Sequence, residues 1–264
     1  MTIKIWLDRF KLEGHIVVVT GAGLIGSAII RGVAEAGAKV IISEIDKKKG
    51  YELEAEYKQQ NLDIIYKYMD ITNEESVNSF IAEILKDFKK IDGWVNTAYP
   101  RTEDWGKKEG LTDFNSFMKN IEMQLGGYYL TSIKAAELMS KKGGGSIINF
   151  GSIYGINAPD FSIYKDTQMT TPIPYVAIKG GINMLTKYIA SYYGEHNVRA
   201  NVIAPGGVFD NQPENFVKKY NEKVPLKRMA RPDDLIGLVI LLLSAAGSYI
   251  TGQILPIDGG FTII

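Results

Sequence analysis

The 264-residue sequence predicts an α/β fold, a doubly wound sheet of seven parallel strands with helices on both faces, and three observations carry that expectation. Short β-branched runs alternate with longer segments of helical periodicity along nearly the whole chain. The first run ends in a glycine cluster, Gly21, Gly23 and Gly26, that opens a helix. No repeat, low-complexity tract or linker interrupts the alternation, so residues 1–264 are read as one domain. Parallel strands with right-handed crossovers can remain an open sheet or close into an eight-fold barrel. Seven strands and a glycine-rich first turn favour the open sheet, whose ligand site lies beyond the carboxyl ends of the strands.

The elements follow in order. Residues 15–20 form a β-branched strand stopped by glycines, and residues 25–36 place apolar side chains at helical spacing before Gly37. Strand 39–43, helix 47–60, strand 64–68, helix 74–88 and strand 93–96 repeat the unit. Long helices at 113–140 and 175–193 flank a strand at 146–150, and further strands lie at 199–203 and 254–257. The apolar run 235–247 contains Ser244 and is too short to span a bilayer, which takes about 20 helical residues, so it reads as a buried helix. The stretch 157–174 holds Pro159, Pro172 and Pro174 and is expected to form a loop over the site.

Composition narrows the function. Thirty basic and 30 acidic residues balance to zero, without the basic excess of a nucleic-acid-binding or membrane-surface protein. Cysteine is absent, so disulfides, thiolate metal sites and cysteine nucleophiles are impossible. His15 and His196 are too far apart in sequence to suggest a metal pair, and no metal is expected. Charges at Lys4, Asp8 and Arg9 interrupt the segment where a secretory leader needs an apolar core, so a cytoplasmic location is expected.

Residues 20–26 contain G-x-G-x-x-G, a pattern that 27 glycines would produce by chance roughly 0.3 times, so context must decide. Here it follows a strand and opens a helix, where the backbone can approach a pyrophosphate and the helix N-terminus favours its charge. Glu44 ends the second strand, placed to accept both hydroxyls of an adenosine ribose and to repel a 2′-phosphate. That selects NAD over NADP, with Lys47, Lys48 and Lys49 standing against it. Asp70, after the third strand, reads equally as a helix cap or an adenine contact. Tyr175 and Lys179 share one helix face, and Ser152 closes the fifth strand with its hydroxyl toward the cleft. Bringing a tyrosine from about 10 to near 7 takes roughly 4 kcal/mol. An ammonium about 4 Å away at an effective dielectric near 20 contributes about that much, so Lys179, helped by an oxidised nicotinamide, could activate Tyr175.

These residues carry a family resemblance. The glycine turn, Asn96 after the fourth strand, Ser152, the Tyr175/Lys179 pair, Pro205-Gly206 and the terminal Asp258-Gly259-Gly260 resemble, in this order, the short-chain dehydrogenase/reductase family and its Rossmann fold. The runs 96–101, 124–128, 152–155 and 205–212, with the long insert, look like its flagellin modification protein A branch. The resemblance implies that Tyr175 gives and takes the proton, that Lys179 tunes it and holds ribose, and that Ser152 holds the substrate oxygen. It further implies cofactor contacts at Gly21, Gly23, Ile25, Gly26, Glu44, Asp70, Ile71, Asn96, Tyr175, Lys179, Pro205, Gly206 and Val208, and a homotetramer or dimer.

The sequence also departs from the family. Its glycine turn is one residue shorter than the commonest form. Thr97 and Tyr99 replace an asparagine and a glycine, and Gln124 stands where the relay asparagine is usual, with Asn120 one turn earlier. Ser152 and Tyr175 are 23 positions apart, wider than usual, bringing Tyr154, Asp160, Tyr164, Lys165 and Asp166 near the site. So polar an insert suits a hydroxyl-rich or charged substrate. The expected function is an NAD-dependent interconversion of secondary alcohol and ketone on a polar, sugar-derived molecule, with a role in making flagellin sugars implied by the branch. The rivals are a non-catalytic dinucleotide-binding module and a methyltransferase, the latter leaving Ser152, Tyr175 and Lys179 unexplained.

Overall fold

The computed structural model describes residues 4–107 and 113–264. Seven strands, β1 (Ile16–Thr20), β2 (Lys39–Glu44), β3 (Ile64–Tyr68), β4 (Gly93–Asn96), β5 (Gly145–Phe150), β6 (Val198–Pro205) and β7 (Ile254–Ile257), form one parallel sheet. Their order is β3-β2-β1-β4-β5-β6-β7, which reverses direction beside β1 and leaves a crevice at the carboxyl ends of β1 and β4. The helices are α1 (Lys4–Asp8), α2 (Leu24–Glu35), α3 (Lys47–Gln59), α4 (Glu74–Phe88), α5 (Phe114–Asn120), α6 (Gly127–Ser140), α7 (Ile173–Tyr193), α8 (Glu214–Lys223) and α9 (Ile236–Leu243).

Side chains alternate across the strands, so β1 feeds two cores. Val17 and Val19 pack with Ile30, Val33, Val239 and Leu242 beneath α2 and α9. Val18 packs with Ile41, Phe80, Trp94, Ala135 and Ile189 beneath α4, α6 and α7. Both faces of the sheet are covered, which is why β1 reads as an unbroken apolar run. Register then aligns the strand ends: Thr20 lies opposite Asn96, and Asn96 opposite Asn149.

Beside the unexpected α1 and short 3-10 turns in the insert, three elements differ from the sequence expectation. The long helix 113–140 is divided: α5 and α6 are separated by a π-helical turn, Ile121–Gly126. The side chain of Asn120 explains part of this, since its Nδ2 donates to Ser116 O and to the Thr102 hydroxyl, both at 2.8 Å, tying the helix to the segment after β4. The apolar run 235–247 is helical only over α9, with short 3-10 turns on either side. Finally, α8 was hidden by its polarity, because it buries only Phe216 and Tyr220, one turn apart.

Candidate active site

The glycine turn is built from both sides. Gly21 has φ +79°, and a Cβ there would lie 2.6 Å from Ala98 Cα; one at Gly26 would lie 2.0 Å from Gly21 O. Neither position accepts a side chain. Thr97 closes the turn from β4, its hydroxyl lying 2.7 Å from Thr20 O and 2.9 Å from Gly21 O. The residue that departs from the family pattern is therefore the brace of the shortened turn. At Gly23, by contrast, nothing lies within 4 Å of a Cβ position, and α2 begins there without a side-chain cap. That open cradle at a helix N-terminus suits a pyrophosphate.

Glu44 stands where β2 ends. Its Oε2 accepts from Ala22 N–H at 2.9 Å, and its Oε1 accepts from the N–H groups of Ile45 (2.9 Å) and Asp46 (3.2 Å). The carboxylate is fixed between strand end and glycine turn, with further lone pairs at the cavity edge. Two of the three lysines beyond it are engaged elsewhere: Lys47 Nζ lies 5.0 Å over the Tyr68 ring, and Lys48 pairs with Glu52 at 3.8 Å. Asp70 lines the same cavity and accepts from Thr72 N–H and its hydroxyl, whereas the cap of α4 is Asn73.

Asn96 is placed differently. Its Oδ1 accepts from Trp94 Nε1 (2.9 Å), Thr131 Oγ1 (3.1 Å) and Thr20 Oγ1 (3.2 Å), while its Nδ2 donates to Asn149 Oδ1 (2.8 Å) and Ser132 Oγ (3.0 Å). This buried knot sews β1, β4, β5 and α6 together beneath the crevice. Asn96 is outside the set of cavity-lining residues, and its side chain holds the strand ends in place beneath them. The remaining residues expected at a cofactor, Ile25, Ile71, Pro205, Gly206 and Val208, line the cavity with the glycines.

Ser152, Tyr175 and Lys179 meet at the other end of the same cavity, whose volume is about 850 Å³. Ser152 follows β5, Tyr175 lies in the first turn of α7, and Lys179 lies one turn later. Lys179 is 5% exposed; its Nζ donates to Phe150 O at 2.8 Å and lies 5.6 to 5.7 Å from the ring centroids of Tyr99, Tyr128 and Tyr175. Burial pushes the Lys179 ammonium down to about 7. Burial likewise pushes the Tyr175 phenol up, against a downward pull from its hydrogen bond with Ser152. In the ligand-free chain desolvation therefore disfavours both charges, and the activation of Tyr175 expected from Lys179 depends on the oxidised nicotinamide that was expected to help it.

The insert does cover the site, but its charges do not face it. Asp160 pairs with Lys223 at 3.0 Å, Asp166 pairs with Lys219 at 3.1 Å, and Lys219 also donates to Lys165 O. These contacts pin the insert to α8. The charges of Asp160 and Asp166 are thus spent on the tether, which Lys165 joins through its backbone carbonyl, and what reaches the cavity from the insert is uncharged: Tyr154, Tyr164, Met169, Thr170 and Thr171. Tyr164 donates to Tyr154 at 3.1 Å and accepts from Thr171 at 2.6 Å. Sequence reasoning missed Trp105, whose ring meets Tyr99 and Tyr175 edge-on at 5.6 and 6.2 Å. It lies in a turn-rich segment with no periodicity to mark it. Of the two relay candidates, Asn120 is committed to Thr102 and Ser116, whereas Gln124 has a buried Nε2 without a partner.

The sheet reversal, the glycine cradle and a Tyr-Lys pair in one cavity define a Rossmann-fold dinucleotide-binding protein. A nicotinamide dinucleotide fits this donor set: room at Gly23 for phosphate, Glu44 for a ribose, and hydroxyl and ammonium groups at the reacting end. The profile of the family described as enoyl-(acyl carrier protein) reductase matches residues 21–262. The post-translational flagellin modification protein A of Campylobacter coli is 35% identical over 95% of this chain and 99% of its own. A short-chain dehydrogenase from Leptospira borgpetersenii, solved with bound NAD+, is 33% identical with a TM-score of 0.82, covering 99% of this chain and 97% of that one. A gluconate 5-dehydrogenase from Burkholderia cenocepacia, solved with NADP and tartrate, is 27% identical with a TM-score of 0.86, covering 98% and 99%. The chain belongs to the short-chain dehydrogenase/reductase family, oxidoreductases that bind a nicotinamide dinucleotide.

Proposed function

We propose that the protein interconverts a secondary alcohol and a ketone on a polar, sugar-derived substrate, with NAD preferred to NADP, as one cytoplasmic domain spanning residues 1–264. The observation that carries this reading is the convergence of Ser152, Tyr175 and buried Lys179 on the cavity that the glycine turn opens. A bound oxidised nicotinamide would accept the hydride and add a positive charge favouring the phenolate. Tyr175 takes the carbinol proton, Ser152 holds the same oxygen, and Lys179 stabilises the phenolate and binds ribose. Trp105, Tyr99 and the tethered insert restrict water. The likeness to the Campylobacter coli protein supports a place in making flagellin sugars. A non-catalytic module is favoured by one feature, the Tyr99 ring over Lys179, and catalytic turnover with any polyol decides against it.

Glu44 supports the NAD preference. NAD(H) is expected to bind more tightly than NADP(H), and Glu44→Ala to narrow the gap by loss of charge repulsion. The same variant loses the acceptor for Ala22 N–H, so its absolute NAD affinity should fall as well. Titration of both cofactors against both proteins checks this; a native preference for NADP(H) contradicts it.

The protein assembles as a homotetramer or dimer in this reading. Two glycines interrupt the regular helix α7, each costing about 1 kcal/mol against alanine. Gly181 has an internal reason to be glycine, since a Cβ there would lie 2.8 Å from Leu125 Cδ2. Gly180 has none, with nothing within 4 Å of its Cβ position, so a closely approaching partner is its compensation in this reading, and α7 also exposes Met184, Tyr188 and Tyr192. Such an apolar helix face suits a second copy. Light scattering at micromolar concentration should report an oligomer, and a monomer would contradict the assignment.

A further inference from the structure

The substrate half of the cavity, between the segment after β4 and the insert, carries few charges. Lys179 is committed to Phe150 O within its tyrosine cage. Arg101 and Asp210 remain as the charged lining residues on that side. Both are exposed; Asp210 sits in the loop after β6, its N–H donating to Gln212 Oε1. Arg101 is held closer to the chemistry. Its guanidinium carbon lies 5.6 Å over the Tyr99 ring, and that ring meets the Tyr175 ring edge-on at 6.1 Å. The arginine ion pairs among the described residues belong to Arg31 and Arg228, leaving Arg101 without an acidic partner there. A guanidinium fixed on an aromatic face, lining a cavity and lacking a counter-ion, is a ready fork for carboxylate or phosphate.

We propose that Arg101 selects an anionic substrate: a hydroxyl-rich carbon chain or ring bearing a carboxylate or phosphate at the end remote from the reacting carbinol. Two short steps, from Arg101 to Tyr99 and from Tyr99 to Tyr175, separate the anion site from the proton donor, so the two groups must lie several bonds apart in the substrate. Trp105 and Tyr99 present aromatic surface to its C–H face, and the Tyr154, Tyr164 and Thr171 hydroxyls offer partners to its hydroxyl groups. The inference rests on the oxidoreductase reading above for the chemistry, and on Arg101 alone for the anion.

The test uses the enzyme–NAD complex with three matched probes: gluconate, neutral sorbitol, and sorbitol 6-phosphate. Binding is followed by tryptophan fluorescence and turnover by NADH formation. At least one anion should bind about tenfold or more tightly than sorbitol, the scale of a hydrogen bond to a charged group. The order of gluconate and the phosphate identifies which anion the site takes. Arg101→Gln should abolish the difference, raising KM for the anion about tenfold with kcat nearly unchanged, while sorbitol and NAD affinities stay put. Arg101→Lys should keep part of the preference, which mere packing on Tyr99 would not predict. The proposal is overturned if neither anion binds better than sorbitol, or if Arg101→Gln weakens all three probes alike or none. An Arg101-dependent preference without turnover would leave the anion site standing and remove the oxidoreductase reading.

Discussion

Tyr175→Phe is expected to lower turnover about 10²-fold or more while the fold and NAD binding survive, the scale of lost general acid-base catalysis. The change removes one oxygen and little volume. Tyr175 packs edge-on against Tyr99 and Trp105 through its ring, which phenylalanine retains. A structural tyrosine would behave in the opposite way, losing melting temperature and keeping its rate. Steady-state kinetics beside thermal melts separate the two. Ser152→Ala should also reduce turnover with little effect on NAD, because its hydroxyl partners are Tyr154 N–H and the Tyr175 phenol.

Lys179→Met is expected to cost a comparable factor in turnover and to weaken NAD, yet to stabilise the ligand-free fold near and below neutral pH. Burial holds the folded ammonium at about 7, against 10.5 for an ordinary lysine. Between those values the unfolded chain binds the proton that the folded chain has lost. Wild-type stability from this group therefore rises with pH across that window, and the burial penalty is felt in full below pH 7. Methionine fills much of the same space without a charge and should flatten that slope. Denaturant melts at several pH values measure it. A variant that is less stable at every pH would show Lys179 to be a packing element rather than a strained functional group.

The seven strands, the open parallel sheet and most of the cavity were legible because periodicity and glycine placement are local signals, whereas the strand order was not. Gly21, Gly23 and Gly26 announce the turn, and Glu44 and Ser152 mark strand ends that the register then aligns. Tertiary partners were not legible. Thr97 looked like a departure from the family and is the brace of the turn, a role visible only once β4 lies beside β1. Asn96, expected at the cofactor, is also the centre of a buried knot that the sequence did not reveal, because its partners come from four separate elements. Asp160 and Asp166 looked like substrate contacts until α8, too polar to be recognised, supplied Lys223 and Lys219. The π-helical turn around Gln124 has no sequence signature beyond two glycines at its end.

The most direct test of the account follows the hydride itself. Wild-type protein is incubated with NAD+ and each of a series of alditols and aldonates deuterated at the secondary carbinols, and the nicotinamide is examined by mass spectrometry. The account predicts deuterium on the reduced nicotinamide from at least one of these substrates, with transfer lost in Tyr175→Phe although NAD still binds. Tight NAD binding with no label from any member of the series, or label undiminished in Tyr175→Phe, would contradict it.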